Sequence, residues 1–166
     1  MGNIENGVRK GKGIFYCPNG DKYFGEWKND TYHGEGTYLV ATGEMYKGGF
    51  KNGRKDGQGE SYLENGNLFK GSYIEDVRSG NGIYKYFSTG EQYDGEWAEN
   101  MRNGFGIFIY AYGDRYEGNW VNDKKEGKGK MIYADGSVYS GSFVQDTISG
   151  FGVMSYSNGD EYQGNW

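Results

Sequence analysis

One spacing limits what this chain can fold into. An aromatic residue, a glycine two places on and a second aromatic two places after that recur seven times, as Tyr23-Gly25-Trp27, Tyr46-Gly48-Phe50, Phe69-Gly71-Tyr73, Tyr93-Gly95-Trp97, Tyr116-Gly118-Trp120, Tyr139-Gly141-Phe143 and Tyr162-Gly164-Trp166. The interval is 23 residues, with one of 24. After each of the first six blocks a Gly-x-Gly pair follows in fixed phase, at Gly34/Gly36, Gly57/Gly59, Gly80/Gly82, Gly104/Gly106, Gly127/Gly129 and Gly150/Gly152. A further glycine closes each unit at Gly43, Gly66, Gly90, Gly113, Gly136 and Gly159. A period of this length marks one supersecondary unit that buries its apolar face only against its neighbours.

The frame divides residues 1–166 into a single array, with units at about 1–22, 23–45, 46–68, 69–92, 93–115, 116–138 and 139–161 and a partial unit at 162–166. Gly2, Ile4, Gly11, Gly13 and Gly20 fall in register although the opening aromatic of that unit is missing. The sequence stops directly after Trp166, where the second strand of another hairpin is expected, so the expectation is a fragment of a longer chain. The one long interval places an extra residue between Lys85 and Thr89, which predicts a loop bulge there.

Within Tyr93-Asp94-Gly95-Glu96-Trp97 aromatic and glycine alternate with polar residues, the period of a strand with one covered face. Asn100-Met101-Arg102-Asn103 carries the chemistry of a tight turn, and a second strand is predicted from Gly104 through Tyr110. That strand alternates too, with Tyr38/Val40, Tyr84/Tyr86, Phe108/Tyr110, Met131/Tyr133 and Met154/Tyr156 on the glycine side. Asp-Gly or Asn-Gly at the unit boundary, as in Asp135-Gly136, signals the next hairpin. The predicted fold is all-β: an elongated, twisted, single-layer antiparallel meander of about seven 23-residue hairpins, on the order of 70 Å long at ~4.8 Å per strand. Glycine weakens a strand interior, so its repetition needs a cause. Bulky rings lying across bare glycines of the neighbouring strand let one layer bury aromatic area without a second.

Composition agrees. The chain has 32 Gly, 17 Tyr and a single Pro, and 18% of its residues are aromatic, which favours sheets over an aliphatic helical core. No apolar run approaches the ~18 residues of a membrane span, and Met1-Gly2-Asn3-Ile4-Glu5 does not read as a secretion leader. A soluble, intracellular protein is expected. Cys17 is the sole cysteine, which excludes an intrachain disulfide and a cysteine-based zinc site. A net charge of −5 argues against a sequence-independent hold on nucleic acid or anionic lipid.

The unit Tyr-x-Gly-x-Trp, Gly-x-Gly and terminal Gly resembles the membrane occupation and recognition nexus, or MORN, repeat across essentially the whole chain. Phe69 and Tyr73 depart from the usual Tyr and Trp, and Ile4 stands where Trp is usual. The resemblance implies an extended antiparallel sheet, often dimeric, in proteins that organise cytoskeleton, cilia, flagella or membrane junctions. It also implies one of two ligand types, since some members hold a partner helix in the aromatic groove and others bind phospholipid.

Three surfaces are candidates for function. The aromatic face, with Trp27, Tyr38, Trp97, Phe108, Tyr110, Trp120, Tyr133, Phe143 and Tyr156, is core in part, but a single layer leaves it partly open to a partner helix. The opposite face is polar early, at Lys28, Glu35, Lys51 and Gln58, and apolar late, at Phe105, Ile107, Ile109, Val121, Ile132, Val144, Phe151 and Val153. This late face is a candidate for self-association, as a homodimer, or for docking. Basic residues Arg9, Lys10 and Lys12, with Lys47, Lys51, Arg54 and Lys55, are candidates for anionic lipid or an acidic partner. Residues 139–161 hold three acids and no Lys or Arg, an asymmetry that bears on how copies would associate.

Nothing points to catalysis or to a cofactor. His33 is read as a lone turn residue, no Ser/His/Asp or Cys/His set is indicated, and the acids are scattered. The Gly-x-Gly pairs sit inside hairpins and lack the Gly-Lys-Ser/Thr of a phosphate loop. Asn29-Asp30-Thr31 matches a glycosylation acceptor without a secretion signal. The sequence therefore predicts a non-catalytic scaffold that binds a protein partner, with no nucleic acid, in a cytoplasmic setting such as a cytoskeletal or axonemal assembly.

Overall fold

The computed structural model describes residues 2–166. They form β1 (Gly2–Glu5), β2 (Val8–Tyr16), β3 (Lys22–Lys28), β4 (Thr31–Leu39), β5 (Met45–Lys51), β6 (Arg54–Tyr62), β7 (Leu68–Ile74), β8 (Val77–Tyr86), β9 (Glu91–Ala98), β10 (Met101–Ile109), β11 (Arg115–Val121), β12 (Lys124–Ile132), β13 (Val138–Val144), β14 (Thr147–Ser155) and β15 (Glu161–Asn165). Among these residues there is one antiparallel sheet of 15 strands in chain order and no helix, so the all-β meander expected from the spacing is what forms.

Two details of the hairpin differ from the sequence reading. The turn between β9 and β10 is the pair Glu99–Asn100, and β10 begins at Met101 rather than Gly104 and ends at Ile109. The cause is conformational: φ is positive at both residues of each such turn, as at Asn29 (50°) and Asp30 (64°), or Asn122 (49°) and Asp123 (68°). Paired positive φ is the type I′ geometry that matches strand twist and reverses the chain in two residues. His33 accordingly lies in β4, paired with Glu26, and not in a turn.

The two glycines of each Gly-x-Gly have different reasons to be glycine. Gly104 takes φ +90°, and the register between β9 and β10 shifts between Arg102 and Gly106, so this glycine makes a bulge. Gly106 is extended, faces Gly95 and Gly118 across the ladders, and lies beneath the Tyr93 ring, where a Cβ would collide with that ring. The expected ring-over-glycine packing therefore covers two strands at once, because Tyr93 also occupies the space above Gly95 on its own strand.

The extra residue is absorbed at the predicted place. Other unit boundaries close with a short bond such as Gly66 N–H to Leu63 C=O, whereas Gly90 donates to Tyr86 across a wider turn.

With no second layer, the core is a single file of rings on one face. Tyr23, Phe69, Tyr93, Tyr116, Tyr139 and Phe143 are fully buried, and Trp27, Trp97 and Trp120 nearly so. Each opening ring meets the closing ring of its own unit and that of the next edge-on. Tyr93 contacts Trp97 at 5.3 Å and 88° and Trp120 at 5.5 Å and 84°, then Tyr116 contacts Trp120 at 5.3 Å and Phe143 at 5.0 Å. The zigzag runs unbroken from Trp27 through Tyr23 and Phe50 to Trp166. Each such pair contributes about 0.5–1.5 kcal/mol beyond the area it buries.

Candidate functional site

Both long edges of the ribbon are stitched, and the stitches decide which groups face the groove. At the hairpin turns, Asp30, Asp76, Asn100, Asp123 and Asp146 accept the backbone N–H of Arg9, Lys55, Arg78, Arg102 and Lys125 in the preceding unit, at 2.8–2.9 Å. The same turn residues return their own N–H to the carbonyls of those basic residues. This explains why Asp or Asn takes the second position of these turns, where the Asn6 and Asn52 turns have Gly7 and Gly53: the short side chain tolerates positive φ and also reaches the next unit. At the opposite edge Asp21, Asn67, Asp114 and Ser137 are buried and accept the N–H of Ala41, Phe87, Ala134 and Ser157.

The side chains of this basic column lie over the rings. The Arg9 guanidinium stands 4.1 Å from the Trp27 ring centroid, Arg78 4.7 Å from Trp97 and Arg102 4.3 Å from Trp120, while the ammonium of Lys55 is 4.8 Å from Tyr46. A cation over a ring face is attracted by the ring's quadrupole. Arg9 and Arg102 are also ion-paired, to Asp30 at 2.9 Å and Asp123 at 3.0 Å. Burial draws the ammonium pKa of Lys55 and Lys125 down, and Lys125 donates to the Tyr110 hydroxyl at 3.1 Å. Sequence reasoning missed this column, although its signal is present: Arg or Lys nine places after most opening aromatics and Asp or Asn seven places after.

The rings proposed for partner binding fall into two layers. Trp27, Trp97, Phe108, Trp120 and Phe143 are buried and form the floor of the face. Tyr38, Tyr110 and Tyr133 are partly buried against that floor, and Tyr156 is exposed, so these phenols form the accessible layer of the face. Tyr38 is held by its hydroxyl, which donates to Asp21 at 2.7 Å and keeps that carboxyl below its usual pKa. Cys17 is partly buried, its Sγ 3.9 Å from the Tyr32 hydroxyl.

On the opposite face Phe105, Ile109, Val121, Val144 and Phe151 are exposed, by 41% at Ile109 and 58% at Phe151, while Ile107, Ile132 and Val153 are partly covered. Phe105 and Phe151 wall a shallow trough of about 570 Å³ that also holds Lys128 and Lys130. The basic residues singled out earlier do not form one patch. Arg9, Lys10 and Arg54 are ion-paired with Asp30, Glu5 and Glu75, Lys55 faces the rings, and Lys12, Lys47 and Lys51 are exposed on the other side of their strands. Among the described residues no group of three or more His, Cys, Asp and Glu is placed to hold a metal ion, and no helix is long and apolar enough to cross a membrane.

A stitched single-layer sheet of this kind, with its rings in single file, defines a tandem hairpin-repeat protein. The chain belongs to the MORN repeat family, whose model matches residues 1–22, 23–45, 46–68, 69–90, 93–115, 116–138 and 139–161. Among solved structures the chain is similar to the TCP10 domain of Danio rerio CPAP, at 15% identity and a TM-score of 0.49, covering 96% of this chain and 90% of that one. The same domain in complex with a peptide of Danio rerio STIL matches at 10% identity and 0.47, covering 92% and 68%. The Drosophila melanogaster SAS-4 TCP domain with a proline-rich motif of Ana2 matches at 13% and 0.45, covering 92% and 89%. No curated protein matches the chain in sequence.

Proposed function

We propose that this ribbon is a non-catalytic scaffold that holds a helical segment of a partner protein along its aromatic face, within a cytoskeletal or ciliary assembly. One observation carries the reading: above the sealed floor of Trp97, Phe108 and Trp120 stands a row of phenols, Tyr86, Tyr110, Tyr133 and Tyr156, that the sheet leaves half-covered or open. Their spacing of one unit, about 9.6 Å for two strands, is close to the ~10.5 Å rise of seven helical residues. A helix lying along the ribbon would thus present the same face to each phenol in turn.

A photocrosslinking residue placed at Tyr110 and, separately, at Ile107 on the opposite face tests which side is used. Adducts with one defined protein from position 110 alone are expected. Adducts from position 107 alone would transfer the role to the other face, and none from either would end the scaffold reading.

The exposed apolar strip of Phe105, Ile109, Val121, Val144 and Phe151 favours a second reading, self-association through that opposite face. Sedimentation equilibrium of the native chain and a Phe151→Glu variant decides it. A monomer mass independent of concentration excludes it.

A further inference from the structure

The groove is not the same in every unit. Thirteen places after the opening Gly-x-aromatic glycine, where the other units carry Tyr38, Tyr84, Phe108, Met131 and Met154, the second full unit has Ser61. Its hydroxyl is buried and bonded to Tyr73 at 2.6 Å, and the missing ring leaves a recess of about 240 Å³ in the aromatic face. Tyr73, Phe69 and Tyr84 wall it, and Lys55 and Arg78 of two successive units both line it.

The charges around this recess do not cancel. Where a turn side chain makes the stitch it is Asp at Asp30, Asp76, Asp123 and Asp146, but the one facing Arg78 is Asn100, which accepts from the guanidinium without neutralising it. Among the described residues Lys55 and Arg78 enter no ion pair, whereas Arg9 and Arg102 of the same column do. Asp76 also lines the recess, its Oδ1 accepting the Lys55 backbone N–H, and Glu44 acts on Lys55 from beyond the lining, so the lining itself sets two cations against one carboxylate. Arg78 keeps donors on a guanidinium that is already oriented by Trp97 and Asn100.

We infer that this recess receives a carboxylate, an Asp or Glu side chain on an otherwise apolar helical segment of a partner protein, seated between Lys55 and Arg78. The inference rests on the groove reading above and specifies its occupant. A side chain from a docked helix reaches cations that are half-covered by rings, whereas a flat anionic membrane meets exposed lysines, and Lys47, Lys51 and Lys70 lie on the other face. The net charge of −5 opposes approach to such a membrane as well.

Selection of a random library of roughly 16-residue peptides, long enough as a helix to span two units, against the whole chain tests the inference. The baits are the native protein, Lys55→Gln/Arg78→Gln, and Tyr110→Glu, each shown by circular dichroism to melt cooperatively. Peptides with a single acid among apolar anchors are expected from the native bait, binding the double variant about tenfold more weakly, the loss of a charge-assisted contact. The charge-preserving Lys55→Arg/Arg78→Lys bait should retain them, which separates lost charge from lost packing if the Gln variant is poorly folded. Peptides without acidic enrichment, or equal binding to the Gln variant, would overturn the carboxylate while leaving the groove intact if Tyr110→Glu still abolishes binding. Peptides indifferent to Tyr110→Glu would sink the groove reading itself.

Discussion

Tyr93 occupies the space that a side chain on Gly106 would need, and its hydroxyl donates to the Glu96 carbonyl at 2.9 Å. Gly106→Ala must therefore displace a fully buried ring, a cost toward the upper end of the about 1–3 kcal/mol that overpacking carries. Gly150→Ala meets open space but holds φ at +69°, so only the backbone penalty of about 1–2 kcal/mol applies. Thermal melts of the two variants should fall in that order. Equal midpoints would mean that the ring yields freely.

The same hydroxyl bond recurs at Tyr23, Tyr46, Tyr116 and Tyr139, each to the carbonyl three residues on, next to the register shift. Phe69 takes this place without a hydroxyl. Tyr93→Phe should thus keep the fold and lose about 1 kcal/mol, the net worth of one hydrogen bond. Urea unfolding of the variant reads the loss directly, and an unchanged midpoint would assign the bond no net value.

Asp114 is buried and accepts the Ala134 N–H at 2.8 Å. Asp114→Ala leaves that donor unpaired, a loss of about 1–3 kcal/mol, and amide exchange at Ala134 should accelerate more than at Ala41 in the distant first stitch. Asp114→Asn should restore protection, since Asn67 fills the same role for Phe87.

Acid should loosen the ribbon from its N-terminal units. The Tyr38 hydroxyl, with the Ala41 N–H and Asn19, holds the Asp21 carboxyl below its usual pKa, and the Arg9 N–H and guanidinium do the same for Asp30. A carboxyl lowered on folding contributes stability that is complete above its unfolded value near 3.9 and is lost as pH falls through the lower folded value. Melting points should be level down to about pH 5 and then decline, and Asp30→Asn should flatten part of that decline.

Alkali acts with the opposite sign. Burial pushes the Tyr23 and Tyr32 phenols up to about 12, so their contribution is complete below the ordinary phenol value near 10 and is lost as pH rises through the folded one. Tyrosinate absorbance should rise late and together with loss of sheet signal. Early titration of most phenols with the sheet intact would contradict the packing.

Strand order, the covered face and the role of Gly106 were legible in the sequence because each repeats in fixed phase, and period-two alternation has one meaning in a hairpin. The first turn is not legible, because Asn100-Met101-Arg102-Asn103 has turn chemistry while the reversal is made by Glu99–Asn100, and Glu is not a usual positive-φ residue. Its conformation is tolerated because the adjoining Asn100 is stitched to Arg78. The groove's rings were legible as a class, but which of them remain open depends on neighbours a unit away. Phe108 and Tyr110 alternate in phase, yet Trp120 covers only Phe108. Ser61 is silent in the sequence because a single departure from a repeat carries no periodic signal.

Every contact in the ribbon is between neighbours. Tyr93 leans on Trp120 and Tyr116 on Phe143, and beside the rings only the strand ladder and the two rows of edge stitches join one unit to the next, each again a nearest-neighbour contact. Pulled by its two ends along the strand-stacking direction, such a ribbon should part hairpin by hairpin, as quasi-linear arrays with nearest-neighbour interfaces do. A force trace would then be a staircase of small steps rather than one rupture. Such a ribbon yields gradually under tension, and a unit that has opened can close again on its neighbour while the units farther along stay folded.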